Sequence, residues 1–304
     1  MSKFEEFLDS DLVYSFRTNP VAIIAAIVAL LLICGALFAP WVAPHRPFDL
    51  ATLSLNDSLT PPAWTESGKA TFPLGTDDQG RDVFSTILYG SRISLLVGVS
   101  SVLLAMLLGV LLGLISGYIG GRLDAFLMRV ADVQLSFPSI LIALLINGVA
   151  RALTHGSYSN DWIPIAVLVL SIALASWVPY ARTVRGSTLV EKNKEYVQAA
   201  RVINVPPLQI MLKHVLPNVL GPVLVIATIN IATAIIGEAT LSFLGVGAPP
   251  TTPSLGTMIN NGNNFLFSGE WWLVVFPAVA LLLLCMSVNL LGDWLRDALN
   301  PRLR

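Results

Sequence analysis

The chain has 304 residues, of which 55% are hydrophobic and 12% charged, against roughly 25% charged in soluble domains. With a mean hydropathy of +0.73, that composition excludes an ordinary soluble domain and points to an integral membrane protein. A formal net charge of −1 gives no electrostatic basis for a nucleic-acid partner, and none is expected.

Residues 1–20 read as a cytoplasmic, interfacial segment, because Phe4, Phe7, Leu8, Leu12 and Phe16 recur at helical spacing among Glu5, Glu6 and Asp9. Uncharged stretches follow at Val21–Pro44, Ile93–Gly121, Val133–Ala150, Trp162–Ala181, Val215–Gly237 and Trp271–Gly292. Each is long enough to cross a hydrocarbon core of about 30 Å as a helix, so an all-α protein embedded in the lipid bilayer through six spans is predicted. The first, residues 21–44, reads as a retained transmembrane helix rather than a cleavable signal, since the segment before it is long and acidic. An external segment (45–91), a five-helix core (92–293) and a cytoplasmic tail (294–304) complete the division.

Placing the amino terminus in the cytoplasm puts Lys3, Arg17, Arg122, Arg129, Arg182, Arg185, Lys192, Lys194, Arg201, Lys213, Arg296, Arg302 and Arg304 inside. Only Arg46, Lys69, Arg81, Arg92 and Arg151 then lie outside, the asymmetry that the positive-inside rule requires, and both termini are cytoplasmic.

In the outer segment, Arg81 is expected to pair with its acidic neighbours Asp77, Asp78 and Asp82. Further along, Arg129 and Asp132 share a helix face and should pair with each other, while Phe137-Pro138 should bend the third span. Residues 182–217 are too long for a simple connection. Absence of Gly and Pro from Ser187 to Val202 predicts a helix there, stopped by Val205-Pro206-Pro207 and resumed at Leu208. Glu238, flanked by long apolar stretches, reads either as lining a cavity or as half-solvated at the outer end of the fifth span. Residues 246–270, broken by Pro and Gly, should fold over an external mouth, and Trp271 and Trp272 read as interfacial anchors.

Several chemistries are disfavoured. The sole Gly-Lys pair, Gly68-Lys69, is followed by Ala70 and forms no phosphate loop. His45, His155 and His214 fall on two sides of the membrane and form no shared metal site.

The run Gln198-Ala199-Ala200, then Asn204, then His214-Val215-Leu216-Pro217, resembles the cytoplasmic signature of ABC-importer permeases. Gln198 and Asn204 depart from it, standing where Glu and Gly are usual. Asn is the residue after Gly that best tolerates positive φ, so the turn can persist, and Glu195, one helical turn earlier, offers a carboxylate. Three further blocks are similar to the dipeptide, oligopeptide and nickel permeases: Pro73 to Leu95, Leu241 to Gly245, and Asn289 to Leu303. The Pro61-Pro62-Ala63-Trp64 lead-in looks most like the dipeptide branch. This resemblance implies a type I ABC-importer permease fold in a bacterial inner membrane, paired with a related permease. It further implies two cytoplasmic ATP-binding subunits that hold ATP and Mg, with no cofactor or catalytic residue in this chain. A periplasmic solute-binding protein would deliver dipeptides or short peptides, with a nickel complex or haem as the alternative cargo. The resemblance makes Glu195, Tyr196, Gln198, Ala199, Ala200, Arg201, Asn204, His214 and Pro217 the candidate ATPase-coupling residues.

Overall fold

The computed structural model describes residues 11–49, 51, 53–153, 162–249 and 251–298, and every regular element among them is a helix. Helix α1 (Asp11–Thr18) sets Phe16 edge-on to Trp294, with ring centroids 5.1 Å apart. Phe4, Phe7 and Leu8 of the expected interfacial helix lie outside the described residues. Helix α2 (Pro20–Leu37) starts abruptly because the Asn19 side chain accepts the Ala22 amide at 3.1 Å and Pro20 presets the first turn. It ends at Leu37, short of the expected Pro44. Pro40 carries no amide hydrogen to continue the ladder, so only a single turn, Ala39–Val42, follows.

Helix α3 (Val83–Ile119) begins well before the expected Ile93, because Asp82 caps it by accepting the Ser85 amide at 2.9 Å. Its 37 residues extend about 55 Å, beyond the hydrocarbon thickness. It ends at Gly120, whose φ of +73° disfavours other residues. Beyond it, α4 (Gly121–Leu135) and α5 (Ser139–Leu153) meet at 96° around Phe137-Pro138, a full corner rather than the expected bend. Helices α6 (Trp162–Ser176) and α7 (Val178–Glu191) are bent by 45° ahead of Pro179. Among the described residues, four helices are long and apolar enough to cross a membrane unaided, and up to six spans result when each bent pair counts as one.

Helix α8 (Glu195–Val202) is followed by a turn, a π-helical stretch Ile210–Val215 and α9 (Leu216–Phe243). The return between α9 and α11, which the sequence places outside, holds α10 (Leu255–Asn263), and α11 (Trp272–Ala298) closes the described chain.

The tightest crossing is α3 on α7. Gly109, Gly113 and Gly117 recur every fourth residue, and a β-carbon added at Gly113 would lie 2.4 Å from the Ala181 carbonyl oxygen. Small residues at this spacing let backbones approach where apolar burial against lipid gains little. Leu103, Leu107 and Leu111, on another side of α3, are exposed. Outside the spans, Thr60 N–H donates to Thr76 Oγ1 at 2.9 Å, and Trp272 Nε1 donates to the Thr76 carbonyl at 3.2 Å. Trp272 is therefore a buried tie between α11 and the outer segment rather than an interfacial anchor.

Candidate functional site

The candidate coupling segment is assembled from helix ends. Its expected continuous helix from Ser187 to Val202 is broken at 192–194. Asn193 Nδ2 folds back onto the Leu189 carbonyl at 3.0 Å, ending α7, and Lys192 Nζ donates to the Gly117 carbonyl at 2.7 Å on α3. Arg185 braces the same corner by donating Nη2 to Asp124 Oδ2 at 2.7 Å. Asp132 pairs with Arg182 on α7, not with Arg129 as the sequence suggested.

Helix α8 then starts at Glu195, an exposed first-turn carboxylate that suits the positive end of the helix. Gln198 Nε2 donates to the Asn193 carbonyl at 3.0 Å, tying α8 to the end of α7. An ionised Glu at this position has no proton to donate, so the departure from the family pattern carries its own bond. The Tyr196 hydroxyl donates to the Glu191 carboxylate and accepts from Asn218 Nδ2 at 3.1 Å, while Asn218 Nδ2 also reaches the His214 carbonyl at 2.7 Å. Burial, then the hydrogen bond and charge of Glu191, push the Tyr196 hydroxyl up to about 12. It stays a neutral donor at physiological pH.

Helix α8 ends in a Schellman motif. Val205 N–H bonds the Ala200 carbonyl and Asn204 N–H the Arg201 carbonyl, both at 3.0 Å, with Asn204 at φ +65°. The two alanines face opposite ways. Ala199 is exposed, whereas Ala200 is buried with Tyr180, Val184, Val197, Ile210 and Met211. Ala200 therefore packs inside its own chain. The Arg201 guanidinium sits 5.5 Å from the Tyr118 ring centroid. The π-helical turn lies just ahead of Pro217, which cannot donate the next α-helical bond. Pro217 itself is exposed.

Sequence reasoning missed the anchors Glu191, Asn193 and Asn218, and it missed the apolar rim. Val202 is 85% exposed and Ile203 75%, with Leu208 exposed on the far side of the turn. Apolar residues flanking a Pro-rich turn were the available signal, since clustered exposed apolar groups mark contact surfaces.

Glu238 stands apart from this segment. It is 0% exposed and accepts from Ser94 Oγ at 2.7 Å and Ser242 Oγ at 2.6 Å. The same serines accept the Leu255 and Ala248 amides at 3.3 and 3.2 Å. It thus joins α3, α9 and the external return, and neither expected position holds: it is not half-solvated, and the wall of the nearby cavity is formed by its neighbours Ile236, Gly237 and Thr240. In the outer segment Arg81 pairs with Asp77 at 2.6 Å, as the sequence suggested, and burial pushes the Asp77 carboxyl above its ordinary range against the pull of Arg81.

Residues 109–304 match the family described as binding-protein-dependent transport system inner membrane component, and residues 10–62 match the N-terminal TM domain of oligopeptide transport permease C. The di/tripeptide transport system permease protein DppC of Pseudomonas aeruginosa is 40% identical over 290 residues, spanning 95% of this chain and 91% of the relative. The dipeptide permease DppC of Escherichia coli K12 is 42% identical over 289 residues, with the same shares of the two chains. The glutathione permease GsiD of Shigella flexneri is 41% identical over 292 residues, covering 95% of this chain and 89% of that one. Among solved structures, an inward-facing form of the MetNI methionine ABC transporter aligns with a TM-score of 0.55 at 19% identity, over 71% of this chain and 96% of its own.

Proposed function

The chain belongs to the family of binding-protein-dependent transport system inner membrane components, and from that premise we propose that its cargo is a dipeptide or other short peptide. It is a multi-pass protein of the bacterial inner membrane and a permease subunit of an ABC importer. The observation that carries the cargo reading is 42% identity to a dipeptide permease across 95% of the chain. The glutathione relative points the same way, since glutathione is itself a short peptide.

In this reading a related permease supplies the other half of the pathway. Two cytoplasmic subunits hold ATP and Mg and carry out the hydrolysis, and a periplasmic binding protein delivers cargo. Residues 182–217 face the ATPases, with Ala199, Val202, Ile203 and Leu208 as the contact surface and Glu195 at its edge. Tyr196, Gln198, Asn204, His214 and Pro217 hold that surface on α7 and α9, and Arg201 holds it on α3 through Tyr118. The orientation follows the basic asymmetry, so a reporter fused after Thr65 reads periplasmic and one after Lys192 cytoplasmic. Reversal at either point removes the six-span arrangement.

The direct test is ATP-dependent accumulation of alanyl-alanine by the complete importer in proteoliposomes. Uptake that requires this chain, the ATPases and the binding protein supports the reading. Transport of nickel or haem without alanyl-alanine uptake overturns it.

A further inference from the structure

Between α3, α5, α6, α7 and α9, with the end of α4 at its edge, lies a cavity of about 510 Å³, inside the roughly 300–1,000 Å³ range of small-molecule sites. Its wall mixes apolar surface with Ser101, Tyr180, Asn230, Thr233 and Thr240, and none of the residues that line it is Asp, Glu, Lys, Arg or His. On α9, Asn230, Thr233, Gly237 and Thr240 repeat at spacings of three and four, so the face turned to the cavity is polar or bare. Polar residues in a membrane helix face the protein interior or water rather than lipid.

Asn230 Nδ2 donates to the Tyr180 hydroxyl at 3.0 Å, which holds the side-chain amide on the wall. Tyr180 is fully buried and the Ser101 hydroxyl is buried without a hydrogen-bond partner, so neither hydroxyl is open to the cavity. The half-buried Asn230 keeps its amide oxygen as an acceptor on the wall. The N–H of a peptide bond is the complementary donor.

We infer that Asn230, held in place by Tyr180, forms a hydrogen-bonding station that reads the backbone N–H of the cargo as it passes this half of the pathway. The inference rests on the peptide-cargo reading and deepens it. An uncharged wall that engages only the amide does not select among side-chain charges, so this station passes acidic, basic and neutral peptides alike. Selection by charge is left to other parts of the importer.

The test uses the complete importer in proteoliposomes, with alanyl-alanine, lysyl-alanine, aspartyl-alanine and alanyl-N-methylalanine as probes. Asn230→Leu keeps the volume and removes the amide. It should lower maximal uptake of the first three dipeptides by a similar factor, roughly tenfold for the loss of about one hydrogen bond. Wild-type preference for alanyl-alanine over its N-methylated analogue should shrink toward one in the variant, because the group that reads the amide is gone. Equal losses for both of that pair would reveal a brace between α7 and α9 and overturn the station. So would a loss confined to one charged dipeptide. Should Asn230→Leu fail to assemble, Tyr180→Phe deletes only the hydroxyl and carries the same expectation, and wild-type uptake and preference there overturn the inference. If the wild-type importer accumulates none of the dipeptides, the cargo reading falls first and the station with it. If it accumulates them and the variants match it, the station alone falls.

Discussion

Around Glu238 three elements meet in a hydrogen-bond set closed to water, whereas the segment around α8 is held by bonds at its rim and turns Val202, Ile203 and Leu208 to solvent. Both regions flank α9, one at each end. Buried polar groups are expensive to leave unpaired, so the Glu238 set fixes the external return against α3 and α9 in one arrangement. Rim contacts such as Tyr196 to Glu191 and Gln198 to the Asn193 carbonyl orient α8 while leaving its outer face available. One end of α9 is therefore fixed by buried bonds, and the other leaves exposed the apolar face proposed to meet the ATPases.

The largest effect should come from Ala199→Asp, and it should be confined to function. Ala199 is exposed in the free subunit, so the new charge is solvated there and stability should change by no more than about 0.5 kcal/mol. Docked against an ATPase, the same carboxylate is desolvated without a partner, at a cost of several kcal/mol. Purified membrane complex should retain its permease pair, lose its ATPases and stop transporting. ATPase retention with a wild-type hydrolysis rate would dissolve the contrast between the two ends.

Glu238→Ala should do the reverse, damaging the fold first. Ser94 and Ser242 each lose a buried acceptor, at about 1–3 kcal/mol per group, and the deleted side chain leaves a void. The midpoint of thermal unfolding in detergent should fall by several degrees, with Glu238→Gln falling less because it keeps one acceptor oxygen. An unchanged midpoint for Glu238→Ala would show that the external return is fixed by its packing alone. That packing is close, since a β-carbon at Gly256 would lie 2.3 Å from the Ala239 carbonyl oxygen.

Smaller changes sharpen the α8 side. Asn204→Ala places a residue without a local hydrogen-bonding side chain at φ +65° and should cost about 1 kcal/mol, while Asn204→Gly should be neutral or slightly stabilising. Chemical denaturation of the purified subunit separates the two, and equal stabilities would remove Asn204 from the turn's energetics. The smallest effect is alkaline. Since the Tyr196 hydroxyl is raised from 10.0 to about 12, folding favours its protonated form. That contribution is present below pH 10 and fades as pH rises toward 12. Stability of Tyr196→Phe should lack this component, which parallel unfolding series across that pH range would measure.

The amino-acid sequence by itself determined whatever depends on composition and near-neighbour order. Uncharged runs set the membrane class through their length and apolarity, Pro206-Pro207 set the break after α8, and Asn204 with its tolerance of positive φ set the turn that ends α8. The break and the turn follow from the conformational limits of residues adjacent in the chain. Tertiary structure decided the pairings. Glu238 is held partly by Ser94 from a distant helix, Asp132 pairs with Arg182 instead of the nearer Arg129, and Ala200 turns inward while Ala199 faces out. Even the helix expected from Ser187 to Val202 was divided by Lys192 reaching the Gly117 carbonyl on α3. A side chain's partner depends on which helices cross and how closely, and here the glycines of α3 set that approach at the α7 crossing through contacts that no local run of sequence contains.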